Sequence, residues 1–211
     1  PAGRCDGRSP AGITRRHLLV RHPQTPLPLW SVLGGKLTTC RSLAEGAAGE
    51  ILAVLGRPVT ATSRSRPLPG ACSAGEMEEL IDRWSGLAGG AGLTHAVAEA
   101  QARDMIGLLG ARALHALEGA ADGWFAPLDG SRLPRGIVRY CLDEEWGDTL
   151  ADVVERRLLL TFDPDLSVAT LRAIAAELVR AGRMEAGSVD TEVAALATMM
   201  VERYGKRLRE D

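Results

Sequence analysis

Between residues 57 and 75 the chain carries Pro, Ser, Arg and Gly without apolar periodicity, and this stretch divides it into parts that fold by different rules. Ahead of it, two short apolar runs flank a proline-broken connection and lead into one helical segment. Beyond it, apolar side chains recur at helical spacing to the C-terminus. The pattern predicts a mainly α protein. Residues 1–56 make a small α/β part of two short strands plus a helix, 57–75 a linker, and 76–211 an all-helical C-terminal domain. Hydrophobic residues make up 45% of the chain but aromatic ones only 4%, so the helices should pack through aliphatic side chains.

The strand candidates are His17 to Val20 and Leu29 to Leu33. Alone they would form only a hairpin, which is marginal in water, so they should belong to a larger sheet. Leu43, Ala47, Ile51 and Leu55 then recur on one face of a helix over Leu37 to Leu55, widened by Ala44 and Val54. In the second part, Met77, Leu80, Ile81 and Trp84 form a stripe that the glycines between Gly86 and Gly92 should end. Thr94 should cap a helix from Ala96, and Leu114 with Leu117 mark another short one. Arg135 to Trp146 reads as a helix burying Ile137, Val138, Cys141 and Leu142. Asp148, Ser167 and Ser188 are N-cap candidates for three further helices, the last turning Val193, Leu196, Met200 and Tyr204 inward. Trp84, Trp124 and Trp146 read as core or interface anchors.

Several function classes are excluded or disfavoured. The net charge of −2 offers no concentrated basic face for nucleic acid. No apolar run approaches the roughly 20 residues of a membrane span. Cys5, Cys40, Cys72 and Cys141 are scattered, with no Cys-x-x-Cys, and the four histidines are likewise dispersed, so no metal site is expected. Scattered thiols suit a reducing, cytoplasmic setting.

The chemistry-bearing feature is Gly34-Gly35-Lys36-Leu37-Thr38-Thr39-Cys40-Arg41. It follows the apolar run Trp30-Ser31-Val32-Leu33 and opens a helix. A glycine turn there exposes backbone N–H groups and the positive end of a helix, with a cation and two hydroxyls beside them. An ordinary strand-to-helix turn has the same ingredients, and Thr38 and Thr39 serve equally as N-caps.

Three blocks carry a family resemblance. They are Ser9-Pro10-Ala11-Gly12-Ile13-Thr14-Arg15-Arg16-His17-Leu18-Leu19-Val20, then Pro28-Leu29-Trp30-Ser31-Val32-Leu33 with the Gly-Gly-Lys run, and Leu68-Pro69-Gly70. With Ile137-Val138-Arg139-Tyr140, Glu144-Glu145 and the run Thr149 to Arg157, they resemble the C-terminal portion of the FAD-dependent glycerol-3-phosphate dehydrogenases. The resemblance implies an oxidoreductase that converts sn-glycerol 3-phosphate to dihydroxyacetone phosphate and passes electrons to quinone. It implies peripheral attachment to the inner face of the cytoplasmic membrane and is compatible with a homodimer.

By the same resemblance, Arg15 and Lys36 bind substrate beside the flavin. Gly34, Gly35, Lys36, Leu37, Thr38 and Thr39 face the cofactor. Arg4 faintly matches a further phosphate-binding arginine, although a disordered terminal arginine is the simpler reading. Arg16 stands where the family usually has an acidic residue, and Cys40 where it commonly has a tyrosine. Asp152 and Arg156 stand four apart and read as a helix-surface ion pair. The family's catalytic base and its glycine-rich FAD fingerprint match nothing in this sequence. The expectation is therefore a piece of the enzyme that needs an N-terminal FAD domain and is inactive alone. The rival reading is a non-enzymatic helical interaction domain with a degenerate N-terminal part.

Overall fold

The computed structural model describes residues 16–59, 63–117 and 123–209. The protein is mainly helical, with one two-stranded antiparallel sheet. Its chain divides into two compact units, residues 1–67 and 68–211.

In the first unit, β1 (His17–Arg21) pairs with β2 (Trp30–Gly34), Leu18 opposite Leu33 and Leu19 opposite Val32. The proline-broken connection closes the hairpin. His22 N–H donates to the Leu29 carbonyl at 2.9 Å, and the Thr25 hydroxyl lies 2.7 Å from the carbonyl oxygens of both His22 and Leu27, which share its one proton. A 3-10 turn, Leu37–Thr39, leads directly into α1 (Cys40–Val54). The stripe expected to face a core does not do so. Leu43 and Ala47 are half-buried, while Ile51, Val54 and Leu55 are exposed, and no described residue of this unit is buried. Two strands and one helix have too little apolar surface to bury any side chain completely.

Arg41 and Glu45, one turn apart on α1, hold the chain that follows. The Arg41 guanidinium donates to the carbonyls of Ser63 and Arg66, and the Ser63 N–H donates to the Glu45 carboxylate. That last bond holds the Glu45 carboxyl below the ordinary glutamate range.

The second unit has a true core. α2 (Ala74–Gly90) and α3 (His95–Leu109) pack closely because Ala88, Ala98 and Ala102 are small and fully buried at their contact, beside Trp84 and Met105. The glycine cluster ends α2 as predicted, the helix stopping at Gly90. Gly86 itself stays helical, and the chain turns at Gly92, with φ +99°. Two 3-10 turns, Gly110–Ala113 and His115–Leu117, replace the short helix expected around Leu114. Gly110 is required where it stands: a Cβ would lie 1.8 Å from the Gly70 carbonyl oxygen, which accepts from Ala111 N–H at 2.9 Å.

The remaining elements are α4 (Gly136–Glu144), a π-helical turn (Asp152–Arg157), a 3-10 turn (Leu160–Phe162), α5 (Val168–Arg180), a second 3-10 turn (Ala186–Ser188) and α6 (Val189–Tyr204). Ile137, Val138, Cys141 and Leu142 are buried as their spacing predicts, with Leu171, Ile174, Ala175 and Leu178 of α5. Ser167 caps α5 through Thr170 N–H, as predicted. Thr94 and Ser188 also stand at the N-caps expected of them, without a capping side-chain bond, and only Asp148 is displaced. Thr149, not Asp148, starts its segment, exchanging hydrogen bonds with Asp152, because a threonine three residues before an acid satisfies two N–H groups at once. Ser188 closes a 3-10 turn onto the Glu185 carbonyl instead of capping α6 with its side chain, and the Thr94 hydroxyl makes no capping bond.

Tyr204 points outward and donates to Glu155 at 2.8 Å. Trp84 and Trp124 are core residues, but Trp146 is 86% exposed, because the positive φ of 55° that ends α4 turns it away from the interior.

Candidate functional site

The Gly34–Gly35–Lys36 bend is open to solvent. Gly34 and Gly35 have φ of +69° and +101°, which an L side chain adopts only under strain, so glycine is needed to turn from β2 toward α1. A Cβ on Gly35 would also meet the His17 Cβ at 3.3 Å, so the bend lies against the start of β1.

Lys36 is exposed, and Leu37 is 88% exposed, an unusual position for a leucine that packs on nothing described. The Thr39 hydroxyl stabilises the turn from within. It donates to the Lys36 carbonyl at 2.9 Å and accepts from Lys36 N–H at 3.3 Å, while Thr39 N–H donates to the same carbonyl at 3.0 Å. Thr39 is therefore a turn-closing residue, one of the two roles its position allowed. The amides of Leu37 and Thr38 precede the first intrahelical acceptor and are left facing solvent, which gives the bend bare donors as well as an ammonium.

The structure thus brings Gly34, Gly35, Lys36, Leu37, Thr38 and Thr39 together at one end of α1. Arg15 and Arg4 lie outside the described residues. The residue types suit an anionic or electron-rich group: a lysine and the first N–H groups of a turn leading into a helix follow directly on two glycines. The hairpin beside it is apolar and uncovered. Leu18, Val20 and Leu33 share one face, and all three are exposed. On the other face Trp30 is tied to α1 by a 2.7 Å hydrogen bond from its indole N–H to Glu50.

Asp152 and Arg156 form the expected surface ion pair. Burial would raise the Asp152 pKa, but hydrogen bonds from Thr149 and the Arg156 charge outweigh it and leave the carboxyl below its ordinary value. Among the described residues no group of three or more His, Cys, Asp or Glu is placed to hold a metal ion. No described helix is long and apolar enough to cross a membrane. No motif singles out Arg83 or His115 in the sequence, yet the second unit places them together on one cleft. Their relation depends on the turn after α3, which carries no local signature.

No protein-family model matches this chain, and a search of curated proteins returns no match.

Proposed function

We propose that this chain is the C-terminal part of an FAD-dependent glycerol-3-phosphate dehydrogenase, with the bend at Lys36 forming one wall of the flavin and substrate site. The observation that carries this reading is the solvent-open Gly34–Gly35–Lys36 bend, whose ammonium and unspent amides lie at the start of a helix. Support also comes from burial. The hairpin and α1 hold no buried side chain among their described residues, as expected of part of a larger sheet whose remainder would cover them.

The residues fit the flavin. Two glycines without side chains permit a planar ring to come close, and the Leu37 and Thr38 amides remain free to donate. When bound, FAD would accept the hydride leaving C2 of glycerol 3-phosphate. Lys36 and the helix end would stabilise negative charge that develops beside them, and Lys36 would also attract the substrate phosphate as a compact charge. Arg15 would hold that phosphate through a bidentate guanidinium fork. The complete enzyme would pass electrons to a quinone and attach peripherally to the membrane.

The test is the purified full-length protein. Its absorbance should show the visible band of bound oxidised flavin. Adding sn-glycerol 3-phosphate without air should bleach that band. A colourless protein, or a flavin indifferent to glycerol 3-phosphate, contradicts the proposal.

A further inference from the structure

Residues 57–75 have the composition of a flexible tether, yet two β-turns within them are held, each by its own unit. The first spans Ser63 to Arg66, with Arg66 N–H donating to the Ser63 carbonyl at 3.1 Å. α1 grips this turn through two side chains. The Arg41 guanidinium donates to the carbonyls of Ser63 and Arg66, and Ser63 N–H donates to the Glu45 carboxylate. A cation and a carboxylate one helical turn apart thus hold both kinds of backbone group, and hydrogen bonds to charged groups are the stronger ones.

The second turn is Leu68-Pro69-Gly70-Ala71. Ala71 N–H donates to the Leu68 carbonyl at 2.9 Å, and Gly70 has φ of +86°. Proline at the second position and a positive-φ glycine at the third are what a type II turn requires. This turn is fixed to the helical unit. The Gly70 carbonyl accepts from Ala111 N–H at 2.9 Å, and a Cβ on Gly70 would stand 2.5 Å from the Leu109 carbonyl oxygen. Three residues on, Ser73 caps α2.

The two turns abut. The Arg66 carbonyl is held in the first unit and the Leu68 carbonyl in the second, so Pro67 alone stands between them. Its ring fixes φ at about −65°, and its Cδ keeps the preceding residue out of the helical region. We propose that Pro67 is a stiff joint. The connection between the units swings only about the backbone bonds of Arg66, Pro67 and Leu68, and Arg41 latches the chain ahead of it. The joint does not depend on what the Lys36 bend binds.

The experiment is backbone amide relaxation by NMR on the 211-residue chain. Rigid backbone gives order parameters of about 0.85 and flexible backbone values below about 0.6. Residues 63–66 and 68–71 should both lie at the rigid end. Arg41→Met keeps the aliphatic stem but loses the donors, so it should drop 63–66 below about 0.6 and leave 68–71 unchanged. Unshifted β1 and β2 amides would report an intact hairpin in that variant. Pro67→Gly keeps every anchoring bond, so both turns should stay rigid while the tumbling times measured on α1 and on α5 move further apart. Flexible values across either turn of the parent chain overturn the proposal. So do rigid 63–66 amides in folded Arg41→Met protein, or tumbling times that Pro67→Gly leaves unchanged. If Arg41→Met disrupts the hairpin, the parent and Pro67→Gly measurements still decide.

Discussion

Gly136 shows how tightly single positions are set in the helical unit. A Cβ there would lie 2.2 Å from the Trp124 indole, whose own carbonyl accepts from Gly136 N–H at 3.0 Å. The indole is packed among Trp84 and Phe125 and has little room to retreat. Gly136→Ala should therefore destabilise the protein by about 1–3 kcal/mol, read from the urea midpoint; an unchanged midpoint would show that the indole moves freely. Cys141 and Cys40 offer a second residue-scale contrast. Burial pushes the Cys141 thiol up to about 12, so it holds almost no thiolate at neutral pH, while Cys40 is exposed on α1. Native protein should label at Cys40 with a disulfide reagent, and at Cys141 only after denaturation. The sequence disclosed Cys141 as a core residue through its helical spacing. It could not disclose Trp146 as exposed, because a backbone turning to positive φ at the end of α4 leaves no trace in periodicity.

At the scale of elements, caps carry the predictions. Ser167 is buried and accepts from Thr170 N–H at 3.2 Å, so Ser167→Ala should cost about 1 kcal/mol. At the start of α2, Ser73 and Glu76 exchange hydrogen bonds, Ser73 N–H donating to the Glu76 carboxylate at 2.7 Å. These bonds hold the Glu76 pKa below its ordinary 4.5. A carboxyl lowered on folding stabilises the native state above its unfolded pKa, and that contribution disappears as pH falls through the folded value. Urea midpoints measured down through pH 4.5 should thus fall less steeply for Glu76→Gln than for the parent; parallel curves would remove Glu76 from the acid response. Ser167 was legible because a serine directly precedes an apolar 3.6-residue pattern. The end of α2 was legible as well, since its glycines disfavour helix locally and the helix stops among them at Gly90.

For the molecule as a whole, burial separates the two units. The helical unit contains every buried apolar side chain described, whereas the hairpin and α1 contain none. Their backbone hydrogen bonds therefore lack the protection that a core gives. In the 211-residue chain, amides of β1, β2 and α1 should exchange with solvent deuterium well before those of α4 and α5, and equal protection would contradict this picture. The division into a strand-bearing part and a helical part was readable from apolar periodicity. The thin packing of the hairpin was anticipated from two strands alone, but how far α1 is covered was not, because the stripe Leu43, Ala47, Ile51, Leu55 looks the same either way.

That partly covered stripe and the exposed hairpin, with Lys36 at the open bend, are what the flavin reading explains together. Steady-state oxidation of sn-glycerol 3-phosphate by full-length Lys36→Ala protein tests it most directly. The account predicts retained FAD with kcat/KM lowered by about 100-fold, the scale for removing one charge-stabilising donor. Flavin-loaded Lys36→Ala protein turning over at the parent rate would contradict it.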